Sequence, residues 1–110
     1  MNHKKSEELY KEAVKYIPGG VNSPVRSFNS VGISPIFAKK AHGSKITDVD
    51  GNEYIDYICS WGPLMLGHSN EEISKGMEEV VSNGISFGLA TEIEVEMAKM
   101  IVEAYPAIDL

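Results

Sequence analysis

Residues 48–57, DVDGNEYIDY, decide the fold of this chain. An Asp-Gly pair stands there between two runs rich in β-branched and aromatic side chains, which is a strong local signal of a β-hairpin. Working outward, the sequence predicts three short strands at Ile36–Ala41, Lys45–Val49 and Glu53–Cys59. Only the short turns HGS (42–44) and DGN (50–52) separate these runs, so we predict a three-stranded antiparallel meander.

One helix is predicted before the meander. Ser6 has the side chain of an N-cap, and apolar residues recur at helical spacing from Leu9 to Ile17. The sequence Pro18-Gly19-Gly20 stops the pattern, because proline cannot continue a helix and glycine favours its termination.

Two more helices are predicted after the meander. Ser69 with Glu72, and Thr91 with Glu94, each have the spacing of a capping box ahead of an amphipathic stretch. We expect the first of these helices to stop at Asn83-Gly84 and the second to stop before Pro106. The chain of 110 residues is long enough to bury a core, and core filling is predicted for the methionines, Met65, Met77, Met97 and Met100.

Residues 18–26, PGGVNSPVR, form a second distinctive stretch that ends in the only arginine of the chain. Two glycines and two prolines make such a segment irregular but stiff. The Arg26 guanidinium offers a planar fork of donors that matches a carboxylate or a phosphate, and the Ser23 hydroxyl precedes it by three residues. A candidate anion clamp is one interpretation, and a surface loop with a solvated arginine is the other.

Three further features allow a functional and a structural interpretation. Trp61, in SWGP (60–63), either forms the wall of a pocket or closes a core beside the sheet. His68 is interpreted as a turn or capping residue in preference to a catalytic base. The aspartates at 48, 50 and 56 are interpreted as turn-forming or strand-edge residues in preference to a cation site, because their spacing does not follow the calcium-loop pattern.

The composition of the chain limits the partners, the ligands and the location that can be expected for it. The net charge of −6, from 10 basic and 16 acidic residues, leaves no basic face and argues against nucleic acid as a partner. A single cysteine, Cys59, rules out an internal disulfide, and no Cys/His cluster has metal-ligand spacing. The sequence has no signal-peptide pattern and no apolar run of membrane-spanning length, so we expect no membrane association and a cytoplasmic location.

At this point the motifs resemble a known family. PGGVNSPVR (18–26), DVDGNEYIDY (48–57), SWGP (60–63), LGH (66–68) and SFG (86–88) are similar to the N-terminal part of the glutamate-1-semialdehyde 2,1-aminomutases. The DGNEYID block and the Gly-His turn occur widely in class III aminotransferases. The GGVNSPVR block is much more particular to the aminomutases, so it favours an aminomutase over the other class III aminotransferases.

The resemblance implies an α/β chain: the N-terminal segment of a fold type I transferase dependent on pyridoxal 5'-phosphate. It also implies an isomerase of tetrapyrrole biosynthesis that converts (S)-4-amino-5-oxopentanoate into 5-aminolevulinate, with the cofactor passing through its pyridoxamine form. Carried over by position, Ser23 and Arg26 hold the substrate carboxylate and Trp61 lines the pocket. The implied assembly is a homodimer acting on a small amino-aldehyde.

The resemblance also implies what this chain does not hold. The family's Schiff-base lysine and phosphate seat lie downstream of the matching stretch, so no catalytic or cofactor-binding residue is assigned here. We expect residues 1–68 to be part of a small domain and residues 69–110 to lead into a large cofactor-binding domain. The 110 residues alone are expected to be an inactive fragment that exposes the apolar faces of its second and third helices.

Two alternatives stay open. One is another class III aminotransferase, which would act on an ω-amino acid. The other is of a different class: a short protein that binds a carboxylate ligand or a partner chain without catalysis.

Overall fold

A computed structural model describes residues 1–108 of the chain. The helices are α1 (Lys4–Ala13), α2 (Glu71–Asn83) and α3 (Glu92–Ala104), and the strands are β1 (Ala38–His42), β2 (Lys45–Asp48) and β3 (Glu53–Ile55). Short 3-10 turns occur at Pro18–Gly20, Pro24–Ser27, Asn29–Val31 and Cys59–Trp61. The chain divides into two compact units, Met1–Ser74 and a second that begins at Lys75.

The predicted antiparallel meander is confirmed, with the strands in the order β1-β2-β3. Lys45 pairs with His42 on one side and with Ile55 on the other. Strand β3 ends at Ile55, four residues earlier than predicted. The cause is Asp56, whose Oδ1 accepts hydrogen bonds from the backbone N–H groups of Ile58 at 2.8 Å and Cys59 at 3.2 Å and so turns the chain out of the strand.

The prediction that Ser6 is the N-cap of α1 is wrong. The helix begins at Lys4, and Ser6 lies inside its first turn with only 1% of its surface exposed. A distant side chain satisfies the free N–H groups: Asp50 accepts from the N–H of Lys5 at 2.8 Å and from the N–H of Ser6 at 2.9 Å. A carboxylate at this position is also favoured by the helix dipole. The turn between β2 and β3 therefore caps α1.

Helix α1 ends at Ala13, although the apolar pattern predicted helix to Ile17. The residues that follow form tighter turns, with N–H groups of Lys15 and Tyr16 bonded to carbonyls three residues earlier. Ile17 itself is extended, with φ −120° and ψ 124°. A residue before proline avoids the helical region for steric reasons, so Pro18 disrupts the helix ahead of itself.

Of the two capping boxes predicted for the later helices, one is wrong and one is confirmed. At α2 the predicted capping box is wrong, because Ser69 has φ 52° and donates its hydroxyl to the Ala41 carbonyl. Asn70 caps this helix, accepting the N–H groups of Glu72 and Ile73. At α3 the predicted capping box of Thr91 and Glu94 is confirmed. Both predicted stops, at Asn83-Gly84 and before Pro106, are also confirmed.

The expected core is absent from the described residues. Apart from Pro35, no apolar side chain of residues 1–108 is buried, and the prediction that the methionines fill a core is wrong. Met77 on α2 is 50% exposed and Met97 on α3 is 58% exposed. The expectation that α2 and α3 expose their apolar faces is confirmed. Among residues 1–108, no helix has the length and hydrophobicity that crossing a bilayer requires.

Candidate functional site

Ser23 and Arg26 lie on the same turn. Ser23 is extended and precedes the 3-10 turn Pro24–Ser27, in which Pro24 takes the first position. The Arg26 N–H donates to the Ser23 carbonyl at 2.9 Å. The structure thus brings the two predicted site residues together at the ends of one closed turn.

The turn is stiffened from inside. The Ser27 hydroxyl donates to the Pro24 carbonyl at 2.7 Å, and Ser27 is buried. Pro24 fixes its own φ, and Phe28 then ends the turn in the left-handed region with φ 56°. Such a turn holds its residues in place with little help from a helix or strand.

Helix α1 supports the segment that leads into this turn. Gly20 has φ 72° and is buried, and a Cβ there would lie 2.6 Å from the ring of Tyr10 and 2.8 Å from the side chain of Val14. Only glycine allows both this backbone angle and this approach. The contact fixes the start of the loop against the second half of α1 and its C-cap residue, Val14.

The polar groups of the turn are available for a ligand. Arg26 is exposed and Ser23 is half-buried. Within residues 1–108, neither the guanidinium nor the hydroxyl has a hydrogen-bond or ion-pair partner. An unpaired guanidinium can bind a carboxylate through two parallel hydrogen bonds, and the Ser23 hydroxyl is a further donor carried by the same turn.

Trp61 lies on a different loop, at the end of the 3-10 turn Cys59–Trp61. Its side chain is 73% exposed, so the interpretation that it closes a core is wrong for this chain. Cys59, Ser60 and Trp61 all have positive φ, at 50°, 52° and 65°. Three consecutive non-glycine residues in the left-handed region are unusual and are found where surrounding contacts impose them.

A buried carboxylate organises the turn between β2 and β3. Asp48 is fully buried, and it accepts hydrogen bonds from the N–H groups of Asp50 and Asn52, the Asn52 amide and the Tyr54 hydroxyl at 2.8 to 2.9 Å. Burial raises the pKa of Asp48, but these hydrogen bonds outweigh it and lower the pKa from 3.8 to about 2.

Asp50 carries the connection from this turn to α1. Burial raises the pKa of its carboxyl, but the hydrogen bonds from Lys5 and Ser6 outweigh burial and leave the pKa below its ordinary value. Asp48 ends β2, Asp50 lies in the turn and Asp56 directly follows β3, so the interpretation of the three as turn-forming or strand-edge residues is confirmed. Within residues 1–108, no group of acidic, histidine and cysteine side chains could hold a metal ion.

His68 makes a specific pair that the sequence did not reveal. Its Nε2 lies 2.6 Å from Oδ2 of Asp56, whose side chain is 5% exposed. This hydrogen bond is the main cause that lowers the pKa of Asp56, and the N–H groups of Ile58 and Cys59 add to it. Because a carboxylate only accepts, the His68 proton is on Nε2. The interpretation of His68 as a turn or capping residue is wrong, because His68 forms an isolated antiparallel β-bridge with Gly43 and Asn70 caps α2. Its side chain also joins two parts of the chain.

Sequence reasoning missed both long-range roles. Asp50 and Lys5 are 45 residues apart, and Asp56 and His68 are 12 apart, so no local spacing links them. The DGN turn indicated a hairpin but could not indicate which helix its carboxylate would cap.

Comparisons with known proteins add to this geometry. The family model described as aminotransferase class-III matches residues 27–109. Glutamate-1-semialdehyde 2,1-aminomutase of Clostridium novyi is 68% identical over 110 residues, which are the whole of this chain and 25% of that protein. Glutamate-1-semialdehyde 2,1-aminomutase 1 of Lachnoclostridium phytofermentans is 59% identical over 106 residues, 96% of this chain and 25% of that protein.

A solved structure is similar in fold. A transaminase with pyridoxal phosphate bound is 33% identical and superposes with a TM-score of 0.89, covering 100% of this chain and 25% of that chain. The chain therefore spans about a quarter of the length of the relatives it matches.

Proposed function

Because this chain belongs to the class-III aminotransferase family, we propose that it is the N-terminal part of a glutamate-1-semialdehyde 2,1-aminomutase. The predicted fold class, an α/β N-terminal segment of a fold type I transferase, is confirmed. The observation that carries the proposed function is the 68% identity, over the whole chain, to the Clostridium novyi aminomutase.

The proposed reaction is the isomerisation of (S)-4-amino-5-oxopentanoate to 5-aminolevulinate, in the supply of tetrapyrroles. The nitrogen moves along the carbon chain and no atom is gained or lost overall. The substrate keeps a free carboxylate at the end away from the reacting carbons. A binding group for that carboxylate can therefore hold the substrate without taking part in the chemistry.

Ser23 and Arg26 are proposed to bind this carboxylate. The support is their place on one stiff turn, the exposure of the guanidinium and the lack of a partner for either group within residues 1–108. A bidentate hydrogen bond fixes the orientation of a carboxylate as well as its position. Trp61, exposed on its strained turn, is proposed as an apolar wall that restricts the bound substrate and excludes water.

Pyridoxal 5'-phosphate is the proposed cofactor of the whole protein, where it would supply the electron sink. The described residues do not by themselves fit its phosphate. Among the described residues, three cavities have no lysine or arginine in their lining: one beside Asp56 and His68, one beside Phe87 and Thr91, and one beside His42 and Asn70. We therefore assign no cofactor contact and no proton transfer to residues of this chain.

The organisation of the whole protein is part of the proposal. Residues 1–68 would belong to a small domain, and residues 69–110 would lead into the large cofactor-binding domain. The protein is proposed to work as a cytoplasmic homodimer. Its relatives are about four times as long as this chain, which supports a domain outside it.

The test is product formation by the full-length protein that contains this segment. We expect 5-aminolevulinate to form from (S)-4-amino-5-oxopentanoate without any added 2-oxo acid. Efficient net transfer of nitrogen to 2-oxoglutarate, with no aminolevulinate formed, would overturn the proposal.

That opposite outcome would support the second candidate, an ω-amino acid aminotransferase of the same family. Its support is the TM-score of 0.89 to the solved transaminase. The identity of 33% to that protein, against 68% to the aminomutase, places it second.

A further inference from the structure

The loop that carries Trp61, residues 57–67, begins and ends on the same short turn. The Asp56 N–H, before the loop, donates to the Ser44 carbonyl at 2.8 Å. His68, after the loop, exchanges two backbone hydrogen bonds of 2.9 Å with Gly43. Both ends are thus attached to the turn between β1 and β2.

A side-chain pair joins the two ends directly. The Asp56 and His68 side chains meet at 2.6 Å and are only 5% and 19% exposed, so water screens the hydrogen bond little. The other carboxylate oxygen of Asp56 holds the N–H groups of Ile58 and Cys59. One carboxylate therefore fixes both the first turn of the loop and its far end. We call Asp56 and His68 the clasp.

The backbone at the far end admits no side chain. Gly67 has φ 80°, and a Cβ on it would lie 2.9 Å from the Gly43 carbonyl oxygen. Backbone at this distance cannot move aside as a flexible side chain can. Glycine at position 67 therefore allows the close backbone approach that places His68 next to Asp56.

The backbone inside the loop adopts angles that surrounding contacts have to stabilise. Left-handed backbone at a non-glycine residue costs about 1–3 kcal/mol and persists only where its surroundings impose it, and three successive residues of this loop adopt it. Burial of the indole does not impose it: Trp61 is 73% exposed, and a cavity of about 340 Å³ is lined by Cys59 and Leu64 of the loop together with the clasp.

We propose that Asp56 and His68 are positioning residues that set the Trp61 indole against the bound substrate. The inference rests on the proposed function, because it takes Trp61 as a wall of the substrate pocket. Neither clasp residue touches the substrate in this account. They act by holding the loop in the one conformation that presents the indole.

The test uses the full-length protein and three variants. His68→Leu removes the hydrogen bond, and His68→Gln restores a donor near the position of Nε2. His42→Leu is the matched control, because His42 is exposed on β1 and its side chain makes no hydrogen bond within residues 1–108. For His68→Leu we expect the KM for the amino-aldehyde to rise about tenfold while kcat stays within about twofold. We expect His68→Gln to recover most of the loss, and His42→Leu to change neither constant.

A second readout does not depend on the substrate. The protein is labelled with 5-fluorotryptophan, and the ¹⁹F resonance of Trp61 is assigned as the one missing from Trp61→Phe. We expect His68→Leu to shift or broaden this resonance and His42→Leu to leave it unchanged. If aminolevulinate is not formed but the resonance responds, the proposed function fails and the loop role of the clasp stands.

An unchanged Trp61 resonance in a folded His68→Leu protein would overturn the inference, and so would a fall in kcat with no change in KM. If His68→Leu does not fold, Asp56→Asn takes its place. The asparagine keeps an acceptor for the Ile58 and Cys59 N–H groups but removes the charge that faces His68. The same two readouts then apply, with the same expected and opposing results.

Discussion

The hairpin region and the two later helices are held by different kinds of contact. In the first unit, polar side chains join residues far apart in the sequence: Asp50 bonds to Ser6 across 44 residues and Ser6 to Phe37 across 31. Along residues 75–108, the described hydrogen bonds join residues no more than four apart. Long-range polar contacts therefore hold the first region together. The second region consists of helices that have only local hydrogen bonds and that expose their apolar faces.

This difference bears on the positions of the predicted site residues. The turns that present Ser23, Arg26 and Trp61 belong to the unit that holds the long-range ties. The loop of Trp61 is tied to the turn between β1 and β2, whereas the turn of Ser23 and Arg26 is closed by its own hydrogen bonds. The apolar faces of α2 and α3 are of the kind that another surface covers. Four experiments on the full-length protein test whether the two regions differ in this way.

The largest effect is expected from Asp48→Ala. The substitution leaves the N–H groups of Asp50 and Asn52 and the Tyr54 hydroxyl without their buried acceptor, and unsatisfied buried donors are costly. Hydrogen exchange should show loss of protection across β2, β3 and the start of α1, while α3 keeps its protection. Asp48→Asn, which retains one oxygen acceptor, should lose less. Equal loss of protection in both regions would mean that the two are not distinct.

Acid should weaken the first region selectively. The pKa of Asp48 is lowered in the folded protein, from 3.8 to about 2, so the folded state binds this proton less readily than the unfolded state. Its contribution to stability is full above about pH 4 and is lost as the pH falls towards 2. A pH series of amide exchange should show the β2–β3 turn opening in this window. In Asp48→Asn this pH dependence should be smaller, and an unchanged dependence would exclude Asp48 as its source.

Arg26→Lys tests whether the first region provides the contact to the substrate carboxylate. A point charge replaces a planar fork, so a bidentate carboxylate contact cannot form. Loss of one hydrogen bond to a charged group, about 1.5–3 kcal/mol, corresponds to a KM increase of about ten- to a hundredfold. Steady-state kinetics on the amino-aldehyde measure it, with Lys39→Ala, an exposed cation on β1, as the control. A KM equal to that of the parent would remove Arg26 from the site.

The smallest effect is expected from Thr91→Ala at the start of α3. Loss of an N-cap side chain costs about 0.5–2 kcal/mol of helix stability. Because the Thr91 side chain contacts only the N–H at the third position of the same helix, exchange should increase in the first turn of α3 and not in the meander. Thr91→Ser should be close to the parent. A response in the meander would show that the cap couples the two regions.

The elements were predictable where the determining signal is local. The DGN turn, the Thr91–Glu94 capping box and the Asn83-Gly84 stop each depend on residues a few positions apart, and each was confirmed. The predicted caps at Ser6 and Ser69 were wrong because other side chains, Asp50 and Asn70, took the helix N–H groups. Asp50 could not have been found by spacing.

The candidate site likewise has some features that the sequence predicted and others that it could not predict. The two glycines and two prolines of residues 18–26 predicted a stiff, irregular segment, and only the structure shows that Ser23 and Arg26 stand at the ends of one turn. The clasp and the left-handed run at Cys59–Trp61 have no sequence signal, since L-residues with these side chains rarely adopt such angles. The predicted core failed for a physical reason: the apolar stripes of α2 and α3 have no covering surface among the described residues.

The central claim, that Arg26 binds the carboxylate of the aminomutase substrate, is tested most directly by a double-mutant cycle between protein and substrate. The kcat/KM of the full-length protein and of Arg26→Lys is measured for (S)-4-amino-5-oxopentanoate and for its carboxamide. We predict that the parent prefers the carboxylate by about tenfold or more, from the loss of a charged hydrogen bond, and that Arg26→Lys loses most of this preference. An equal preference in both proteins would contradict the account.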